Sequence, residues 1–586
     1  MKKIRKTIAF LLLSLVSASG YAEKVSLDRA LQAAKGFFRI EAETKGIVPG
    51  ELTLVYQGSR KSSADSPFYV FNNSKGGFVM IAGDTQSTPV LAYSNEDSFF
   101  EGELPVNVKE WMDNMESHIE NLRRRGVVDD SGTPERWEHL SSEIVKGYSV
   151  VVDLKTPKWN QTEPFNAYCP KGTYTGCVAT AMAEILWYHK WPDAGVGTLK
   201  GYSYLDENQN KIFIKGYELG HEYNWSIMPA SVVKTKELTD AQKEIATLMH
   251  DCGVMVEAMY GTDGTGAYSS NVTPALVEHM KYDASANFLY GPWFSTDEWL
   301  DMIYRNLDNG IPVYYSASTK DNAGHAFVLD GYASDGGFHI NFGWGGSGNG
   351  YYVFPQFSDY TEYHDMIVNL KPDEGGLPEE MLLLYDLTVT DMQDNPVESF
   401  EVNGQYKLKT GIYNMGQVPY SGRLAWALYD HDDVLKAYIT DTVNVVDNRV
   451  ENLDDASVWI SFTLDEAPEI GDKLRLMYCG DNNGDWRRIT YYKGENYDVY
   501  LEDPTFIDES TTFEIQKASG KILINTKDGV EFTVTDLSGA DLTEQAAVFN
   551  EEDGTIEVDL KSLQKGIEYI FTLSKGKDIK TMQIKL

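Results

Sequence analysis

Residues 175–192 read TGCVATAMAEILWYHKWP, a stretch that leaves almost no polar face. Only Thr180 and Glu184 interrupt the apolar run from Val178 to Trp187, so the spacing predicts a helix buried nearly all round, the centre of a domain. Cys177 falls in its first turn, with the Thr175–Gly176 pair placed to cap and turn the chain. A helix N-terminus favours an anion through its free N–H groups and dipole. A thiol there is therefore poised as the thiolate, its reactive form. Two other readings fit this stretch equally well: a disulfide with Cys169, or an inert buried thiol.

The chain has 586 residues, too many for one core, and its 42% hydrophobic and 12% aromatic content supports packed domains. Residues 1–22 combine a basic start, an apolar run from Ile8 to Ala18 and small residues before Glu23, the pattern of a signal peptide cleaved after Ala22. That run is too short to span a bilayer, so we expect an exported chain, secreted or held at the cell surface. Loss of Lys2, Lys3, Arg5 and Lys6 takes the net charge from -37 to -41. So acidic a surface serves solubility and repels nucleic acid and anionic membranes. Cys169, Cys177, Cys252 and Cys479 permit two disulfides but make no disulfide framework.

The fold class expected is α+β. Residues 23–147 read as a leading α+β domain: a helix in SLDRALQAAKGFFRIEA, strands around the NNSKGG turn, and a second helix in PVNVKEWMDNMESHIENLRRR. The following GVVDDSGTPERWEHLSSEIVKGY has turn residues and little apolar periodicity, so it reads as an exposed, cleavable linker. Residues 148–372 form a second domain, sheet-rich in its later half, where Ser295 and Glu298 make a capping box for a helix over 296–308. Residues 380–505 carry short alternating strands, an Ig-like β-sandwich signature, and 509–586 form a small separate β domain.

The partner decides between the readings of Cys177. A cysteine nucleophile needs a base, usually histidine. Of ten histidines, His325 alone stands at the start of an apolar strand just after a glycine-containing loop, in DNAGHAFVLDGY. It follows Cys177 by 148 residues, within the papain-type spacing. The base in turn needs a group that orients its second ring nitrogen. FHINFGWGG offers Asn341, with Trp344 near enough to cover the pair. Acyl transfer also needs donors for the oxyanion. The Cys177 N–H is one, and Gln161 in KWNQTEPFN, sixteen residues upstream, supplies the other.

Taken together, KWNQTEPFNAYCP, TGCVATAMAEILWYHKWP, YNWSIMP, LMHDCGVMVEAMYGTDGTGA, GHAFVLDGY and HINFGWGGSGNGYYVF resemble the streptopain family of papain-fold cysteine peptidases over about 148–372. YVFNNSKGGFVMIAGDTQSTPVLAYS resembles that family's pro-domain. The resemblance implies a papain-like cysteine endopeptidase made as a zymogen, with protein or peptide substrates and its own pro-domain as intramolecular inhibitor. It puts the nucleophile on Cys177, the base on His325 and the oxyanion glutamine on Gln161, with an acyl-enzyme intermediate. It also implies a preference for an apolar side chain two positions before the cleaved bond. Phe342 stands where the family commonly has tryptophan; it keeps the apolar cover but lacks the indole N–H. The orienter is thus either Asn341 or a nearby backbone carbonyl, and Phe342 and Trp344 shape the cleft.

Gly343, Gly345 and Gly348 match G-x-G-x-x-G, but a strand and a proline follow instead of a helix, so a nucleotide is not implied and a flexible loop beside the cleft is. The segment Glu257–Asp263 is either a cleft-lining loop or an ordinary solvated turn. No metal or cofactor motif is present. The tail, FTVTDLSGADL through GIEYIFTLSKGKDIKTMQIKL, resembles the C-terminal sorting domain of type IX secretion, which would make that machinery a partner. Two rival functions remain: an inactive peptidase-like adhesion protein, and a Cys/His amidase acting on cell-wall peptides.

Overall fold

The computed structural model describes residues 23–586 except 59–65, 101–103, 105, 127, 130–131, 143–146, 148, 207, 319–323, 354–363, 379, 398–399, 417, 440–442, 445–454, 465–467, 470, 481–484, 502–511, 517–520, 526–530, 537–541, 551–554, 566, 576–577 and 586. The expected signal peptide and Lys146 of the linker lie outside the described residues. The chain divides into two compact units, one within residues 1–381 with short returns at 415–418 and 492–495, the other made of the remainder.

In the first unit, α1 (Leu27–Lys45) starts where the Ser26 side chain accepts from the Arg29 N–H and stops at Gly46 in the left-handed region. Its Ala30, Ala34, Phe37 and Phe38 are buried. Strands β1 (Leu52–Gln57), β2 (Phe68–Asn73), β3 (Phe78–Ala82) and β4 (Val90–Ser94) follow, then α2 (Val106–Arg125). Against expectation, the linker holds a helix, α3 (Thr133–Ser141). Trp137 and Leu140 are buried, the Trp137 indole donates to the Ser87 carbonyl at 2.9 Å, and the Leu140 carbonyl lies where a Cβ on Gly36 would stand. Only glycine lets α1 approach α3 this closely.

β5 (Val150–Asp153) opens the next domain, and α4 (Cys177–His189) is its buried axis. Two small ribbons pair β6 (Thr198–Leu199) with β9 (Tyr217–Glu218), and β7 (Tyr202–Leu205) with β8 (Lys211–Ile214). Helices α5 (Asp240–Met255), α6 (Val272–His279) and α7 (Thr296–Asp308) complete the helical side; Ser295 and Glu298 form the expected capping box of α7. Strands β10 (Asn287–Tyr290), β11 (Val313–Ser318), β12 (Gly324–Ala333), β13 (Phe338–Asn341), β14 (Gly350–Tyr352) and β15 (His364–Val368) make the sheet side.

These strands and those of the leading domain form a single 11-stranded sheet, in the order β1-β2-β3-β4-β14-β13-β12-β11-β15-β10, with β5 on β12. The junction is β4 on β14, with Tyr351 opposite Tyr93 and Tyr352 opposite Ala92. Lys158 closes the same seam with ion pairs to Asp97 at 2.7 Å and Glu96 at 3.2 Å.

In the second unit, one sheet contains strands 382–391, 405–414 and 455–463, and another contains 422–429 and 473–480. Leu384 and Leu408 from the first and Leu424, Trp426 and Leu476 from the second share one core. A separate cluster around Ile522, Val534, Val558 and Phe571 holds the tail. Among the described residues no helix is long and apolar enough to cross a membrane.

Candidate active site

Helix α4 presents Cys177 because nothing else occupies its start. Gly176 takes φ 91°, and no side chain caps the helix. The expected cap by Thr175 is not made: its hydroxyl lies 2.9 Å from that of Thr180, whose own hydroxyl bonds the Gly176 carbonyl. A Cβ on Gly176 would meet Thr265 at 2.9 Å, so glycine is required here by both conformation and space. All four cysteines are free, which removes the disulfide reading of Cys177.

β12 brings His325 to the thiol. Burial pushes the Cys177 thiol up, but the charge and hydrogen bond of His325, with the backbone N–H groups of Ala326 and Val178, outweigh it and hold the thiol below its ordinary value. The other thiols show the contrast: burial drives Cys169 up to about 12, and Cys252 is raised well above the usual range. Of these three thiols, Cys177 alone sits where the anion is favoured.

The second nitrogen of His325 donates to the Phe342 carbonyl at 3.0 Å. The group against this nitrogen is a backbone carbonyl and not the Asn341 side chain. The Asn341 amide points elsewhere, donating to Thr156 Oγ1 at 3.0 Å and to the Pro157 carbonyl at 2.8 Å. Its oxygen accepts from the Gly343 N–H at 3.2 Å and from the Asn349 amide at 2.9 Å. Asn341 is thus a buried knot that fixes the turn bearing the Phe342 carbonyl. Trp344 stacks on His325, ring centroids 5.7 Å apart and planes 11° apart. Phe342 is buried against Phe327 and Tyr352.

Gln161 sits beside the helix start: its carbonyl accepts from the Thr175 N–H at 3.1 Å. Its side-chain Nε2 is buried and has no hydrogen-bond partner among the described residues. A buried donor left unpaired is costly, and a site that later receives an oxyanion is where such a donor belongs. The segment that carries it is clamped on both sides, by the Trp159 N–H on Glu184 of α4 and by the Gly345 N–H on the Trp159 carbonyl.

The glycine loop after β13 is held in this structure by hydrogen bonds. Its Gly348 N–H bonds the Ser98 carbonyl at 3.0 Å, and the Phe342 N–H bonds Asn349. The 257–263 segment closes on itself through the Met259–Gly266 bridge and lies against Tyr174. The sequence reading missed Asp330, which accepts from both Thr156 groups and pairs with His339 behind the site. A carboxylate inside the apolar run FVLDGY was the available signal.

A thiol held at a helix N-terminus by an imidazole, with an unpaired amide beside it, defines a cysteine peptidase. Residues 159–352 match the Peptidase C10 family, and residues 22–119 match the Spi protease inhibitor family. Streptopain of Streptococcus pyogenes is 30% identical over 416 residues, covering 63% of this chain and 100% of the relative. The thiol protease/hemagglutinin PrtT of Porphyromonas gingivalis is 27% identical over 531 residues, 84% of this chain; the chain spans 57% of PrtT's length. A solved fragment of Prevotella intermedia prointerpain A is 25% identical and covers 55% of this chain and 99% of that one, at a TM-score of 0.43. The chain belongs to the streptopain (C10) family: it is a cysteine endopeptidase with an inhibitor-type pro-domain ahead of it.

Proposed function

We propose that Cys177 is the nucleophile, His325 its base and acid, and Gln161 with the Cys177 N–H the oxyanion hole. His325 and Cys177 form a thiolate–imidazolium pair. The thiolate attacks a peptide carbonyl of a protein substrate, the oxyanion takes the hydrogen bond that Gln161 Nε2 now lacks, and His325 protonates the departing amine. Water then hydrolyses the acyl-enzyme, with His325 accepting the water's proton. The Phe342 carbonyl orients His325, and Asn341 acts one step back as a positioning residue. The observation that carries this reading is the line Cys177–His325–Phe342 carbonyl beside an unpaired Gln161 amide.

We assign residues 23–147 to the pro-domain and its linker and 148–372 to the papain-like peptidase. The pro-domain acts as intramolecular inhibitor; β4 and Ser98 grip the β14 edge and the glycine loop that carries Trp344, which supports the assignment. Cleavage near Lys146–Gly147, by the enzyme itself, then frees the peptidase. Residues 1–22 direct export, 380–505 form an Ig-like sandwich, and 509–586 act as a sorting domain for the type IX machinery. Incubating the full chain and its Cys177→Ala form with an epoxide thiol inhibitor tests the core: the adduct belongs on Cys177, and only the unmodified wild-type chain processes itself. An adduct on another cysteine, or equal processing of both forms, refutes it.

A further inference from the structure

Strands β12, β11 and β15 run in register beside the thiol. Ala326 lies opposite Ser316, and Ser316 opposite Asp365. Directly opposed residues share a sheet face. The next row on that face is Val328, Tyr314 and Ile367, all in the core cluster with α4. The Ala326–Ser316–Asp365 row therefore faces the α4 side, and its first member gives Cys177 a backbone hydrogen bond. With strands about 4.8 Å apart, the Asp365 backbone stands roughly 10 Å from Ala326.

That row is polar where the next is apolar. The Ser269 hydroxyl bonds the Tyr314 hydroxyl at 2.9 Å and Ser316 Oγ at 3.1 Å, and Ser316 Oγ donates to Asp365. Burial drives the Tyr314 hydroxyl far up, with Cys177 and Asp365 both adding to the rise, so one hydroxyl feels the thiol and the carboxylate together. Among the described residues Ser316 is the only hydrogen-bond donor to Asp365, and no cationic side chain pairs with it. Burial pushes this carboxyl up to about 7, against the weaker pull of Ser316. The residue is half-buried, and among the described residues none supplies it with a counter-charge. A carboxylate that a fold keeps in such a place is stabilised by an incoming cation.

We propose that Asp365 is a specificity residue that receives a lysine or arginine side chain of the substrate, carried within two residues of the cleaved bond. This rests on Cys177 being the nucleophile, and it departs from the apolar preference the family resemblance implies. Ser316, Ser269 and Tyr314 complete the polar wall around the cation.

The test profiles the wild-type chain, after self-processing, on fluorogenic peptides that vary each of the two residues on either side of the cut. Lysine or arginine should be favoured over leucine about tenfold or more in kcat/KM at one of these positions. Asp365→Asn should remove that preference while leaving kcat/KM for the leucine peptide within about twofold; Asp365→Glu, which keeps the charge, should retain it. A wild type indifferent to basic residues at all four positions overturns the inference, as does an Asp365→Asn chain that loses activity on every peptide alike. Loss of the basic preference in Asp365→Glu counts against it equally. Cleavage persisting in Cys177→Ala refutes the peptidase reading itself, whereas Cys177-dependent cleavage without basic preference overturns this inference alone.

Discussion

Asn341→Ala separates a residue that touches the histidine from one that holds the backbone behind it. The side chain is 1% exposed and makes four hydrogen bonds, to Thr156, Pro157, Gly343 and Asn349. Thr156 keeps its bonds to Asp330, so the substitution strips a partner from three groups, the Pro157 carbonyl, the Gly343 N–H and the Asn349 Nδ2, whose neighbouring Oδ1 still holds the Phe342 N–H. At about 1.5 kcal/mol for each buried group left unpaired, it costs roughly 4.5 kcal/mol. For a unit of well over 300 residues, that lowers the unfolding midpoint by roughly 5–6 °C. Catalysis suffers less: the Phe342 carbonyl is loosened but still present, and a misaligned histidine costs about 1.4 kcal/mol, a tenfold fall in kcat/KM. A member of the catalytic relay itself would behave the other way round, with a loss near 10⁴ and little change in stability. Thermal unfolding is read by tryptophan fluorescence on the full chain carrying Cys177→Ala, which prevents self-digestion, and kcat/KM on the chain with Cys177 intact. A thousandfold loss of activity with an unchanged midpoint would refute the positioning role and return Asn341 to direct contact with His325.

Two further outcomes follow from paired and buried charges. Lys158→Glu places a third carboxylate against Asp97 and Glu96 in place of a part-exposed ion pair worth about 1 kcal/mol; amide exchange at Tyr351–Val353 should quicken several-fold, and 0.5 M salt should quicken it in wild type but not in the variant. His189 is half-buried and His364 buried, and desolvation holds each down to about 4. Between about 4 and the unfolded value near 6.5 the unfolded chain binds protons that the folded chain does not, so stability is full above 6.5 and falls as pH drops through this window. At pH 5 each histidine accounts for roughly 2 kcal/mol of that loss. Melting the Cys177→Ala chain at pH 7 and pH 5, with and without His189→Gln, should show a smaller acid loss in the variant; an identical loss would show that His189 is charged in the fold.

What could be read from the sequence was chemistry that side chains must perform. Cys177 at the head of an apolar helix, His325 at a strand start and Gln161 upstream each announce themselves by residue type and order, and the fold brings Cys177 and His325 into contact and sets Gln161 against the loop leading to Cys177. The sequence left the partner of the second His325 nitrogen open between Asn341 and a nearby backbone carbonyl, because a backbone carbonyl leaves no trace in residue identity. Helix α3 was missed because two buried side chains, Trp137 and Leu140, are too few to establish a period, and its Gly-Thr-Pro start looked like a turn. Proline in the first helical turn is itself a start signal, and it outweighed the composition around it.

The glycine pattern 343–350 joins the site to the leading domain for a physical reason. Gly343, Gly345, Gly346 and Gly348 all take positive φ, so the chain leaves β13 through turns that other residues enter at a cost. Gly350 has a different duty: a Cβ there would stand 2.4 Å from the Tyr93 carbonyl of the pro-domain strand. The side chain that is absent at 350 is thus what lets β4 add to the peptidase sheet at all. The turns between them carry Phe342 and Trp344, the two residues that hold and cover His325. The nine residues 342–350 therefore serve both His325 and the pairing of the pro-domain strand. A change in how the pro-domain strand sits on β14 has a direct covalent path, nine residues long, to the carbonyl that orients the base.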